Sequence, residues 1–146
     1  MKKPKTLTIR FKKDEFQCSS LQFSHILEII YNTPNLPESL IWICSDVNTN
    51  SWYLKLSNTP VFVVHSLKEW ECILQNDFQF ISGVFIWIQN DISHTFNEEL
   101  SKNFGTEDEE GFHIESSYIE IRAFDTSYFE IYTLDNKLIT KLENIN

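Results

Sequence analysis

From Thr6 to Phe11 the chain alternates polar and apolar residues, which sets Leu7, Ile9 and Phe11 on one face of a first strand and turns the other face to water. The period then changes. Phe23, Ile26, Leu27 and Ile30 recur at i, i+3, i+4 and i+7, behind a Ser19 and Gln22 spaced as a capping box. This spacing predicts an amphipathic helix that stops near Asn32 and Pro34. Short runs rich in aromatic and branched residues follow at Leu40 to Cys44, Trp52 to Leu56 and Val61 to Val64. Polar segments such as Asn48-Thr49-Asn50 and Asn58-Thr59-Pro60 separate them, so they read as a meander of strands. Ser66 with Glu69 repeats the capping spacing ahead of a second helix carrying Leu67, Trp70, Ile73 and Leu74.

Val84 to Ile88 reads as another strand. Thr95 with Glu98 then caps a third helix bearing Phe96, Leu100 and Phe104, with Gly105 at its C-terminal end. In Tyr118 to Phe124, Ile119, Ile121 and Ala123 alternate with Glu120 and Arg122, and Asp125-Thr126-Ser127 turns the chain into Tyr128 to Thr133. These segments predict an antiparallel hairpin. Leu138, Leu142 and Ile145 behind Asp135 fit a last helix, although Asp135-Asn136 could instead turn a hairpin. No repeat or linker divides the chain. The expected fold class is therefore α+β: one domain over residues 1–146, with a mostly antiparallel sheet and helices packed on one face. Residues 1–5 are expected to form a flexible basic N-terminus.

Composition adds size and sign to this pattern. A chain of 146 residues can bury about two-thirds of its unfolded surface around a single core. With 12 Phe, 5 Tyr and 4 Trp and a single alanine, Ala123, that core must be built from large side chains. Charge is unevenly placed. Residues 1–13 hold six of the twelve basic residues and no acid, while the remainder carries all 21 acidic ones. So acidic a body repels nucleic-acid phosphate and steers a cationic partner toward it, which argues against nucleic-acid binding. The apolar runs are far shorter than the ~20 residues of a membrane span, and the basic start leads into alternation rather than an apolar leader. Together with an odd number of cysteines, Cys18, Cys44 and Cys72, this predicts a cytoplasmic protein whose thiols are unbridged and mostly buried.

Candidate chemistry is sparse. Three glycines cannot build a phosphate-binding loop, so no nucleotide cofactor is expected. His25, His65, His94 and His113 are scattered, and Asp91 with His94 is the nearest approach to a ligand pair; no metal is expected. Cys44-Ser45-Asp46, with His65 or His113 folded beside it, could form a thiol site, but an inert core cysteine is the commoner outcome for such a residue. Paired acids such as Glu98-Glu99 and Asp108-Glu109 lie in polar segments where no shifted carboxyl is expected. No catalytic residue is assigned. The best functional case is the acidic run Glu107, Asp108, Glu109 and Glu110, followed by Phe112 and preceded by Glu98 and Glu99. Flexible carboxylates beside an aromatic anchor can dock a basic protein, since charge speeds encounter and the ring supplies desolvated contact.

Small size, acidity, low glycine content and the run from Tyr118 to Ile131 leading into a terminal helix together resemble the bacterial immunity proteins that neutralise polymorphic or contact-dependent toxins. The resemblance is to a type of protein and carries over no individual residue. It implies a non-enzymatic protein that covers a cationic toxin domain in a stoichiometric complex, without cofactor, nucleic acid or membrane. The alternatives are another small interaction or regulatory module, and an enzyme without recognisable motifs.

Overall fold

The computed structural model describes residues 3–51, 61–89 and 104–146. Six strands form one antiparallel sheet: β1 (Lys5–Ile9), β2 (Leu40–Thr49), β3 (Val61–Val64), β4 (Phe80–Gln89), β5 (Ile119–Phe124) and β6 (Tyr128–Thr133), in the order β1-β6-β5-β4-β2-β3. Among the described residues there are three helices, α1 (Ser20–Tyr31), α2 (Leu67–Leu74) and α3 (Asn136–Glu143). The expected α+β architecture is thus the observed one. The strand expected at Trp52 to Leu56 and the helix expected from Thr95 lie outside the described residues.

Local sequence accounts for the element ends. Ser19 caps α1 by accepting from the Gln22 N–H, and the Gln22 side chain returns a bond from the Ser19 N–H, so both halves of the capping box are made. All four residues of the predicted apolar stripe are fully buried. In α2 Ser66 accepts from the Glu69 N–H, but the Glu69 carboxylate reaches one residue further back, to the His65 N–H. Asp135 caps α3 by accepting from the N–H groups of Lys137 and Leu138, which decides between helix and hairpin for that segment. The β5–β6 hairpin turns at Asp125 and Thr126, both with positive φ.

The helices cover one face of the sheet. Their core centres on Phe23, whose ring lies 4.8 Å from Phe85, 5.1 Å from Trp70, 5.2 Å from Phe80 and 5.8 Å from Phe129, centroid to centroid. Trp42 and Trp87, paired across β2 and β4, stack at 5.1 Å. The other face has no helix among the described residues, yet it is not left to water. A second apolar cluster, Ile41, Ile43, Val84, Ile86 and Ile88, is closed over by Phe104 and Ile114. The segment from Phe104 to Tyr118 therefore acts as a lid, and it carries the acidic run.

Candidate functional site

Backbone and side-chain bonds nail the start of this lid to the sheet. Ser45 accepts from the Phe104 N–H at 2.8 Å. Asp46, at positive φ where β2 shifts register, accepts from both the N–H and the hydroxyl of Thr106 at 2.9 and 2.7 Å. The Thr106 hydroxyl in turn accepts from the Gly83 N–H of β4 at 3.2 Å. Asp tolerates that backbone conformation better than most residues, and here its carboxylate is used as soon as the strand bends.

The acidic run then folds around Arg122. Glu120 and Arg122 of β5 point to the lid side, and both are fully buried (0% and 1% exposed). Arg122 donates from Nε to the Glu120 carboxylate at 2.7 Å, and its two terminal nitrogens donate to the carbonyls of Asp108 (2.9 Å), Glu109 (3.1 Å) and Gly111 (2.7 Å). One guanidinium thereby fixes three backbone groups of a loop that carries four acids. The planar fork of arginine suits this task, since a lysine ammonium cannot present donors in that spread. Below it the ring of Tyr132 sits 4.7 Å from the guanidinium carbon, and the Tyr132 hydroxyl donates to Glu130.

His113 joins loop and strand. Its N–H donates to Glu120 at 2.8 Å, its Nδ1 lies 2.8 Å from the other Glu120 oxygen, and its Nε2 lies 3.0 Å from Asp108. Burial pulls the His113 pKa down, but hydrogen bonds and charge from Glu120 and Asp108 outweigh this against the opposing charge of Arg122, and the net shift is upward. Asp108 is held below the usual carboxylate value, first by the Gly105 N–H and then by His113. When His113 is protonated, the four groups alternate in sign from Asp108 through His113 and Glu120 to Arg122.

The predicted docking residues divide accordingly. Glu107, Asp108, Glu109 and Glu110 are all exposed, but Asp108 is spent on the loop's own fold, so Glu107, Glu109 and Glu110 are the carboxylates turned outward. Phe112 is half-buried within the lid. Glu98 and Glu99 lie outside the described residues, as do Asp91 and His94. Arg122 ties the backbone of the run, while its carboxylates are exposed.

The chain matches no protein-family model, no curated protein and no solved structure.

Other candidate chemistry is not brought together. Cys44 is fully buried on the helical side, where burial, and after it the charge of Glu69, pushes its thiol well above the ordinary value. His113 packs against Phe104 on the opposite face, and His65 is exposed. The expectation of mostly buried thiols holds for Cys18 and Cys44 and fails for Cys72, which is free and exposed on α2. Among the described residues no group of three His, Cys, Asp or Glu side chains is arranged to hold a metal ion, and no helix is long and apolar enough to cross a membrane. A cleft of about 400 Å³ lies along α1 between Phe11, Leu21, His25 and Glu28. From the sequence Glu120 and Arg122 are only the polar positions of a strand, and His113 is considered beside Cys44 rather than with them. The available signal was the pairing of opposite charges at i and i+2 on the strand that comes after the acidic run.

Proposed function

We propose that this chain is an immunity-type binding protein, which neutralises a bacterial toxin by covering it in a one-to-one complex, with the Glu107–Glu110 loop as the charged part of its docking surface. The observation that carries this reading is the tethering of three loop carbonyls to buried Arg122, which leaves Glu107, Glu109 and Glu110 outward on an ordered backbone. A preordered loop loses less conformational entropy on binding than a free one, and its charges steer a cationic partner. The bonded groups beneath the loop satisfy one another, which suits a surface built to bind rather than to react.

The test takes the toxin domain encoded beside this chain, or failing that the stoichiometric protein captured from the native lysate, and measures association kinetics. Replacing Glu107, Glu109 and Glu110 by Gln, with Asp108 kept as the loop's own tie, is expected to slow association and flatten its salt dependence while thermal stability is unchanged. Protection of cells expressing the toxin should fall in parallel. Identical rates and salt dependence in the variant would remove the loop from the interface. A toxin that stays active in the presence of excess protein would remove the neutralising role.

A further inference from the structure

The opposite sign of charge collects at the far edge of the sheet. Lys3, Lys5, Arg10, Lys12 and Lys13 are exposed along β1 and the turn that follows it. α3 packs against β1 and runs beside it in the same direction. It starts at Asp135, next to Thr133, the register partner of Lys5, and ends where Asn146 bonds to Arg10 and Lys12. Exposed Lys137 and Lys141, one helical turn apart, therefore join the same strip. None of these seven cations is in an ion pair among the described residues. Among the nearby acids Glu130 bonds Tyr132, Asp14 bonds Gln22 and Asp135 bonds the α3 N-terminus, while Glu15 and Glu143 are exposed at the Lys13 end of the strip.

This strip borders an open strand edge. β1 pairs only with β6 among the described residues. The Gln17 carboxamide bonds both the N–H and the carbonyl of Phe11, while Asn146 accepts from the Lys12 N–H and donates to the Arg10 carbonyl. Phe11 thus faces one side and Arg10 the other. Gln17 precedes Cys18, whose thiol donates to the Tyr128 carbonyl of β6, so the Phe11 side is the β6 side. Because backbone groups alternate in direction along a strand, Lys5, Leu7 and Ile9 address β6, and the N–H and carbonyl groups of Thr6 and Thr8 point away from the sheet. Asn146 already supplies, at Arg10 and Lys12, the kind of amide bonds an added strand would supply at Thr6 and Thr8.

We propose that the outer edge of β1 is a second docking surface, which takes an extended acidic polypeptide segment as an added strand. Threonine suits paired strands, and the outward backbone groups of Thr6 and Thr8 give such a segment its ladder. The flanking cations set its sign. They also disfavour a second copy of this chain at the same edge, since two such edges would bring like charges together. A phosphate chain or a lipid phosphate could use the cations and the outward N–H groups, but an ionised phosphate has no donor for the outward carbonyls of Thr6 and Thr8, so only a polypeptide matches the full ladder.

The test uses isotope-labelled full chain and a capped peptide of about six residues alternating Glu and Val. Amide shifts and slowed hydrogen exchange are expected at Thr6 and Thr8. Thr8→Pro, which removes one outward N–H and leaves the β6 ladder intact, should weaken binding about threefold to tenfold, the effect of one net hydrogen bond. A peptide N-methylated on alternate residues supplies the same readout should that variant fold poorly. Exchanging Glu for Lys in the peptide, or combining Lys5→Glu, Arg10→Glu and Lys12→Glu in the protein, should abolish binding. The proposal is overturned by equal binding of the N-methylated peptide, by peptide shifts that map away from β1, or by self-association through this edge. A single-stranded oligonucleotide or anionic vesicle that binds there while the peptide does not would also overturn it.

Discussion

Replacing Arg122 by methionine keeps a long apolar stem over Tyr132 and deletes the guanidinium, so it asks directly what holds the acidic loop. The loss comprises the 2.7 Å ion pair to Glu120 and the bonds to three loop carbonyls. Glu120, fully buried, would keep only the donors of His113. Breaking one partner of a buried pair costs about 3–5 kcal/mol, because the remaining charge stays uncompensated. Against a total stability of about 5–15 kcal/mol for a single domain, this is a large share. It corresponds to a fall in Tm of roughly 10–15 °C at this chain length. Urea unfolding followed by tryptophan fluorescence gives the stability, and hydrogen exchange gives its location. The N–H groups of Gly105 and Asp108 are bonded within the lid and those of Thr106 and His113 tie it to Asp46 and Glu120; all four should lose protection before the sheet does. Glu120→Gln together with Arg122→Met should cost less than the sum of the two single changes, because the double variant leaves no orphaned charge. A cost below about 1 kcal/mol for Arg122→Met, with loop protection intact, would refute the account of the loop as built on this side chain.

His113 should titrate above its ordinary value of 6.5, since Glu120 and Asp108 outweigh burial. The stability it contributes is therefore full below that value and lost as pH rises through the folded pKa, whereas the contribution of Asp108, whose pKa is lowered from 3.8, is lost only as pH falls through its folded value. Imidazole resonances followed by NMR check this, and a pKa at or below 6.5 would contradict it. In the native protein Cys72 alone should react with a thiol reagent, with Cys18 and Cys44 following on denaturation; burial pushes the Cys18 thiol up to about 12. Three fast thiols, or none, would contradict the placement of these residues.

What could be read from the sequence was local in cause. The α1 cap needs only Ser19 and Gln22 three residues apart, and its buried face needs only the 3.6-residue period of Phe23, Ile26, Leu27 and Ile30; the structure makes both. The β5–β6 hairpin likewise needs only two alternating runs and a polar turn between them. The site was not local in cause. Alternation assigns Glu120 and Arg122 correctly to the face opposite Ile119, Ile121 and Ala123, but a period of two says which residues share a face and not whether water reaches it. Water is kept from that face by the segment from Phe104 to Tyr118, which has no helical or strand period of its own. It is placed by contacts distant in sequence: Ser45 to Phe104, Asp46 to Thr106 and Ile114 against the β2–β4 cluster. Once the lid is in place, an arginine that would cost little on the surface becomes a buried charge that must find acceptors. The nearest acceptors are Glu120 and the carbonyls of the acidic run. The run's charges then have one direction left in which to point, and this links the burial of Arg122 to the outward display of Glu107, Glu109 and Glu110.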